Sequence, residues 1–108
     1  LRMELGETGA AIAALERARS SQGPAFRRDL ELGVLYLADR RLDEARAALD
    51  RVPEGHPEAP MALFKRAQVC VLLGEPDCRE RVRAAWEKGD EATRRLVADE
   101  RLFAGLRP

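Results

Sequence analysis

Histidine occurs once, at His56, and serine and threonine only twice each, so the side chains that nucleophilic and general-base catalysis draw on are nearly missing from these 108 residues. His56 stands between Gly55 and Pro57 with no partner set nearby and reads as a loop residue, and no enzymatic activity is expected. Cysteine is limited to Cys70 and Cys78, which with His56 make no recognised metal-ligand spacing, so neither a metal nor a cofactor is expected. The eight glycines are scattered, which leaves no loop to cradle a phosphate. An excess of charge of one sign is also missing. Nineteen Lys and Arg balance nineteen Asp and Glu, and the halves match: residues 1–54 carry nine basic and ten acidic side chains, residues 55–108 ten and nine. A general nucleic-acid surface or an acidic-membrane surface is therefore not expected. Long apolar runs are lacking too: the longest, Ala10–Leu15, has six residues against the roughly 20 that span a bilayer, so no membrane insertion is expected.

Helix-forming residues fill the chain instead. Alanine appears eighteen times and leucine fifteen, while Val, Ile and Thr are sparse and Arg outnumbers Lys seventeen to two. That balance favours helix over strand and points to an all-α fold. With 45% hydrophobic and 35% charged residues, the length suits one globular domain. The chain opens on Leu1 without an initiator Met or the basic, apolar and small-residue parts of a secretory leader. It reads as an excerpt of something longer, and its start does not specify a compartment.

Self-comparison finds a repeat. At an offset of 34 residues Ala11 pairs with Ala45, Leu15 with Leu49 and Ala18 with Val52, while Gly6, Arg40 and Gly74 recur at the same step. Leu30, Gly33, Val34 and Leu37 follow the spacing of one helix face, and Leu42, Ala45, Leu49 and Val52 that of the next, with a break at Asp39-Arg40-Arg41. Pro24 suits a helix start, and Pro53, Pro57 and Pro60 punctuate the passage to the next repeat, because proline has no amide hydrogen for a helix interior. Gly74 ends a helix and Pro76 opens the following one. Helices are expected over about 7–20, 25–39, 42–51, 58–73, 76–88 and 90–98.

The run Leu32-Gly33-x-x-Tyr36, followed by Ala45, Leu49, Val52 and Pro57, resembles the tetratricopeptide repeat family. The physical logic is visible in the residues: Gly33 and Ala45 are small where two antiparallel helices approach, and Leu32, Tyr36 and Leu49 fill the space around them. The resemblance implies a solenoid of antiparallel helical hairpins, about two and a half repeats. Residues 1–23 supply the second half of one repeat, 24–56 a full repeat, 57–89 a divergent repeat and 90–108 a C-terminal cap. In the divergent repeat Ala67 and Gly74 fit, whereas Arg79 stands where a small residue is expected and Arg83 where a large apolar one is. Residues 99–106, Asp-Glu-Arg-Leu-Phe-Ala-Gly-Leu, are similar to segments that close many bacterial members of the family, which suggests a bacterial source.

Function follows from the resemblance. In this family the first helix of each hairpin lines a concave groove, which here implies Arg27, Leu30, Val34, Leu37, Met61, Phe64, Lys65, Gln68 and Val71 as groove residues. Mostly apolar, they suit a partner peptide or amphipathic helix held by a scaffold or adaptor. The same residues also suit burial against an upstream repeat or a second copy, and exposed repeat edges allow self-association. A regulatory or oligomerisation segment of a larger enzyme or transcription regulator is the alternative reading. The family members that grip a terminal carboxylate use two asparagines, and this sequence contains none. The arginine-rich stretches at Arg27-Arg28, Arg40-Arg41, Arg79–Arg83 and Arg94-Arg95 are interleaved with acids within a turn and read as solvated faces laced with ion pairs.

Folding at Gly74-Glu75-Pro76 brings Cys70 and Cys78 to similar heights on facing helices, near the roughly 5.5–6 Å between α-carbons that a disulfide requires. Either a disulfide or two buried thiols fits this placement; the first would put the chain in the periplasm, the second suits the cytoplasm.

Overall fold

A computed structural model describes residues 2–23 and 26–106, with side chains from residue 7 onward. Alanine and leucine at three- and four-residue spacing form helices that bury one face each, and six α-helices follow in sequence. They are α1 (Arg2–Gln22), α2 (Asp29–Ala38), α3 (Leu42–Asp50), α4 (Ala59–Leu73), α5 (Cys78–Lys88) and α6 (Glu91–Asp99), followed by a 3-10 turn over Arg101–Phe103. No strand occurs among the described residues. Each helix packs chiefly on its neighbours in sequence, and α4 also touches α2, α6 and the 3-10 turn, the arrangement of a helical solenoid.

The predicted helices are all present, with shifted ends. The first extends to Arg2 and Gln22. The second begins only at Asp29, because the Phe26 amide turns back to the Gly23 carbonyl at 3.0 Å and its ring is buried. Pro24, expected to start that helix, lies outside the described residues. The fifth begins at Cys78 rather than at Pro76, since residues 76 and 77 belong to the turn.

Two turns set the hairpins. At Gly74, with φ 72°, the chain leaves α4 and the Glu75 amide bonds the Cys70 carbonyl at 3.0 Å. At Arg40, with φ 60°, it leaves α2 by the same pattern, the Arg41 amide bonding the Tyr36 carbonyl at 2.8 Å. Tyr36 itself is buried and its hydroxyl donates to Glu16 at 2.6 Å, tying α2 to α1. Burial first, and the Glu16 carboxylate second, push its pKa up to about 12.

Two expectations about packing are corrected. The close approach at Gly33 is to Leu49, not chiefly to Ala45: a β-carbon built on Gly33 would lie 2.7 Å from Cγ and Cδ2 of Leu49. In α5 the core residues are Cys78, Val82 and Ala85, while Arg79 and Arg83 face solvent. Ala45 therefore corresponds to Cys78 and Leu49 to Val82, a step of 33 residues (78 − 45 and 82 − 49) instead of 34. The chain is one residue shorter between the left-handed turn residue and the first core residue of the second helix, four residues from Gly74 to Cys78 against five from Arg40 to Ala45. Repeat three thus keeps small-and-large packing with its helix phase moved by one position.

The core has two parts. One, around Ile12, Leu32, Tyr36 and Leu49, joins α1 to α4; the other gathers Phe64, Ala67, Val82, Ala85, Val97 and Phe103, joining α4 and α5 to the C-terminal segment. The side chain of Asp90 caps α6 by accepting the Thr93 amide at 2.8 Å, which also holds its carboxyl below the usual range.

Candidate functional site

The nine predicted groove residues separate into two sets. Leu37 and Phe64 are buried in the core and line no open groove, and Leu30, also buried, reaches only the corner cavity described below. The two leucines join the cluster shared with α1 and α3, and Phe64 is covered by Phe103, whose ring meets it edge-on at 5.8 Å. Arg27 is exposed, and Val34, Met61, Lys65, Gln68 and Val71 are half-buried, with the Lys65 ammonium 5.5 Å over the Phe64 ring.

What α2 and α4 do leave open is a stripe one helical step away. It runs Glu31, Val34 and Ala38 along α2 from Arg27, and Met61, Lys65, Gln68 and Leu72 along α4, each α4 position lying 34 residues after its counterpart. Leu72, 36% exposed, is one of two large apolar residues so open among the described residues. Glu31, Ala38 and Leu72 were missed from sequence; the 34-residue step applied to Val34 and Ala38 would have found the face. Beside Leu72, the Oε1 atom of Gln68 is buried without a hydrogen-bond partner among the described residues.

At the start of this stripe, a cavity of about 520 Å³ opens where α1 ends, α2 begins and α3 passes into the loop over residues 51–58. Phe26, Leu30, Val52 and Pro53 give it apolar walls, and Arg19, Arg27, Arg51 and His56 stand around its one acid, Asp29. Arg51 Nε lies 2.9 Å and Arg19 Nε 3.9 Å from the Asp29 carboxylate. Nδ1 of His56 accepts the Glu58 amide at 3.0 Å, which assigns the ring proton to Nε2. Only Arg27 and Leu30 of this corner were read from sequence as binding residues, because four separate segments build it.

Behind the stripe a charged seam joins α3 to α4. The Arg66 side chain, 5% exposed, reaches Asp50 at 2.9 Å and Glu75 at 2.8 Å, and Arg46 meets the other Glu75 oxygen at 3.0 Å. The hydrogen bond from Arg66 holds the Glu75 carboxyl below its ordinary range. Next to it, Cys70 and Cys78 are joined as a disulfide with α-carbons 5.5 Å apart. Their sulfurs lie 3.4 Å from Asp77 Oδ1 and 3.1 Å from the Glu75 carbonyl, oxygens that would accept from the reduced thiols. The arginine stretches carry pairs such as Arg28–Glu31 at 2.7 Å, Arg81–Asp77 at 3.0 Å and Arg41 with Glu44.

A profile of the tetratricopeptide repeat matches residues 1–60 and again residues 30–77. The chain belongs to the tetratricopeptide repeat family. No match is found among curated proteins or solved structures. Tetratricopeptide repeats are in general non-catalytic modules for protein–protein interaction, and membership of the family suggests a protein partner. No helix among the described residues is long and apolar enough to cross a membrane.

Proposed function

We propose that this chain is a non-catalytic scaffold or adaptor that receives a partner peptide or helix along the open stripe of α2 and α4. In this reading residues 24–56 and 57–89 are successive repeats, residues 1–23 complete a repeat before them, and residues 90–108 close the stack. The observation that carries it is the match of equivalent positions: Val34 and Gln68, and Ala38 and Leu72, lie 34 residues apart on α2 and α4, and all four are half-buried or exposed. An amphipathic segment laid there would remove Leu72, Met61 and Val34 from water at about 25 cal/mol per Å².

Selection of a random peptide library on the native chain, followed by binding to Leu72→Glu and Val34→Glu variants, tests the reading. Both changes are expected to abolish binding of the selected peptides, while Ala47→Glu on the exposed side of α3 leaves it intact. Peptides that bind all three variants equally would exclude this face. Leu30 and Phe64 are unsuitable test positions, because burying a new charge there would unfold the chain.

A further inference from the structure

We infer that the corner cavity between α1, α2 and α3 takes the carboxylate of an acidic side chain lying inside the partner segment, with an apolar neighbour of that residue against its walls. This rests on the interaction reading above and adds the partner's chemistry to it. The cavity's volume, about 520 Å³, falls within the range of sites that enclose a small group. Its polar lining consists almost wholly of donors. Arg51 and Arg19 turn Nε toward Asp29, and among the described residues their terminal nitrogens have no partner. Arg27 makes no ion pair among the described residues, and His56 presents Nε2–H once Nδ1 has accepted the Glu58 amide. Three guanidinium groups against one carboxylate leave an excess of two positive charges (3 − 1) in a chain whose net charge is zero. Planar donor pairs of this kind match a carboxylate.

The walls narrow the ligand further. Phe26 and Leu30 are almost fully buried and, with Val52 and Pro53, form an apolar floor beside the guanidinium groups. A bare inorganic anion would leave that floor in water, whereas an acid with an apolar neighbour covers it. An extended polyanion is disfavoured, because the arginines elsewhere are interleaved with acids. Arg27 belongs both to the cavity and to the start of the stripe, so a segment with its acid in the corner continues along α2 and α4. An internal side chain allows that continuation, and a chain terminus does not require it.

Heteronuclear NMR of the intact chain with acetyl-Leu-Glu-Phe-amide as the probe tests this. The expected result is a shift of the Phe26 and His56 amides and of the arginine Nε–H signals. Acetyl-Leu-Gln-Phe-amide should bind at least about tenfold more weakly, as expected for losing a charged hydrogen bond. Arg27→Gln, at an exposed residue without an ion-pair partner among the described residues, should weaken the glutamate peptide about tenfold and leave the glutamine peptide unchanged. Arg83→Gln, on the outer face of α5, should change neither. No shift at millimolar peptide overturns the inference, as do equal binding of the two peptides, indifference to Arg27→Gln, or equal shifts from inorganic phosphate. Binding by acetyl-Leu-Phe with a free terminal carboxylate but not by the internal-glutamate peptide overturns it as well. Library-selected ligands that depend on Leu72 yet ignore Arg27→Gln remove this inference alone; ligands that ignore both remove the interaction reading with it.

Discussion

Leu49 occupies the space that a side chain on Gly33 would need, its Cγ and Cδ2 standing 2.7 Å from where a β-carbon would lie. Both residues are buried and belong to facing helices of one hairpin. Gly33→Ala is therefore expected to force Leu49 out of place and cost about 1–3 kcal/mol in urea unfolding. Ala45→Leu should cost a similar amount, since Ala45 is fully buried, whereas Ala47→Leu on the exposed side should stay within about 0.5 kcal/mol. A neutral Ala45→Leu with a costly Ala47→Leu would reverse the assigned phase of α3.

Arg40 and Gly74 occupy equivalent turns with left-handed backbone, but only glycine adopts that conformation without steric cost. Arg40→Gly should raise the unfolding free energy by about 0.5–1 kcal/mol, and Gly74→Ala should lower it by about 1 kcal/mol. Chemical denaturation of the two variants reads both signs.

Glu75→Gln should cost about 2–4 kcal/mol, because it leaves the desolvated Arg66 guanidinium with Asp50 alone. The folded-state pKa of Glu75 is lowered, so its contribution is full above the unfolded carboxylate value of about 4.3 and fades as pH falls through the lower folded value. Stability measured from neutral pH down to strong acid should therefore drop more steeply in the native chain than in Glu75→Gln. Parallel pH profiles would show that the Glu75 contact contributes little.

Phe103 is fully buried and meets Phe64 edge-on. Phe103→Ala should cost about 3–5 kcal/mol and expose Phe64, detectable as increased binding of a hydrophobic dye before the main unfolding transition. A small change would mean that the C-terminal turn is not what seals the second core cluster.

Unfolded, unreduced protein should show no reactive thiol, and reduction should lower stability by about 2–3 kcal/mol, the closure term for a separation of eight residues. Two titratable thiols in protein from an oxidising compartment would remove the bond and the argument for export that depends on it.

The hairpins were legible because small and large residues recur at fixed intervals, and a Gly33 or an Ala45 keeps that meaning wherever its partner lies. The phase of α5 was not. One residue fewer before Cys78 rotates the whole helix without altering its composition, and the family match itself stops at residue 77, just before that helix begins. The open face was half legible. Periodicity places Leu30 and Val34 on one side of α2, but only the neighbouring helices decide which of them is covered. Phe64 was misread as open because Phe103, the residue that shields it, is distant in sequence and belongs to a short turn without periodicity. The corner cavity had no sequence signal, since its arginines come from unconnected positions.

Interdigitated apolar side chains hold neighbouring hairpins together but carry no charge to discriminate one register from the next. Arg66 adds that discrimination. Its guanidinium is anchored to Asp50 on α3 and to Glu75 past the end of α4, and a shift of either helix by one step would strand a desolvated charge. The placement of α4 on α3 is thereby held by an electrostatic key as well as by shape complementarity. Under the proposed function, substitutions along this seam would change which ligands fit by changing how α4 presents itself beside α2.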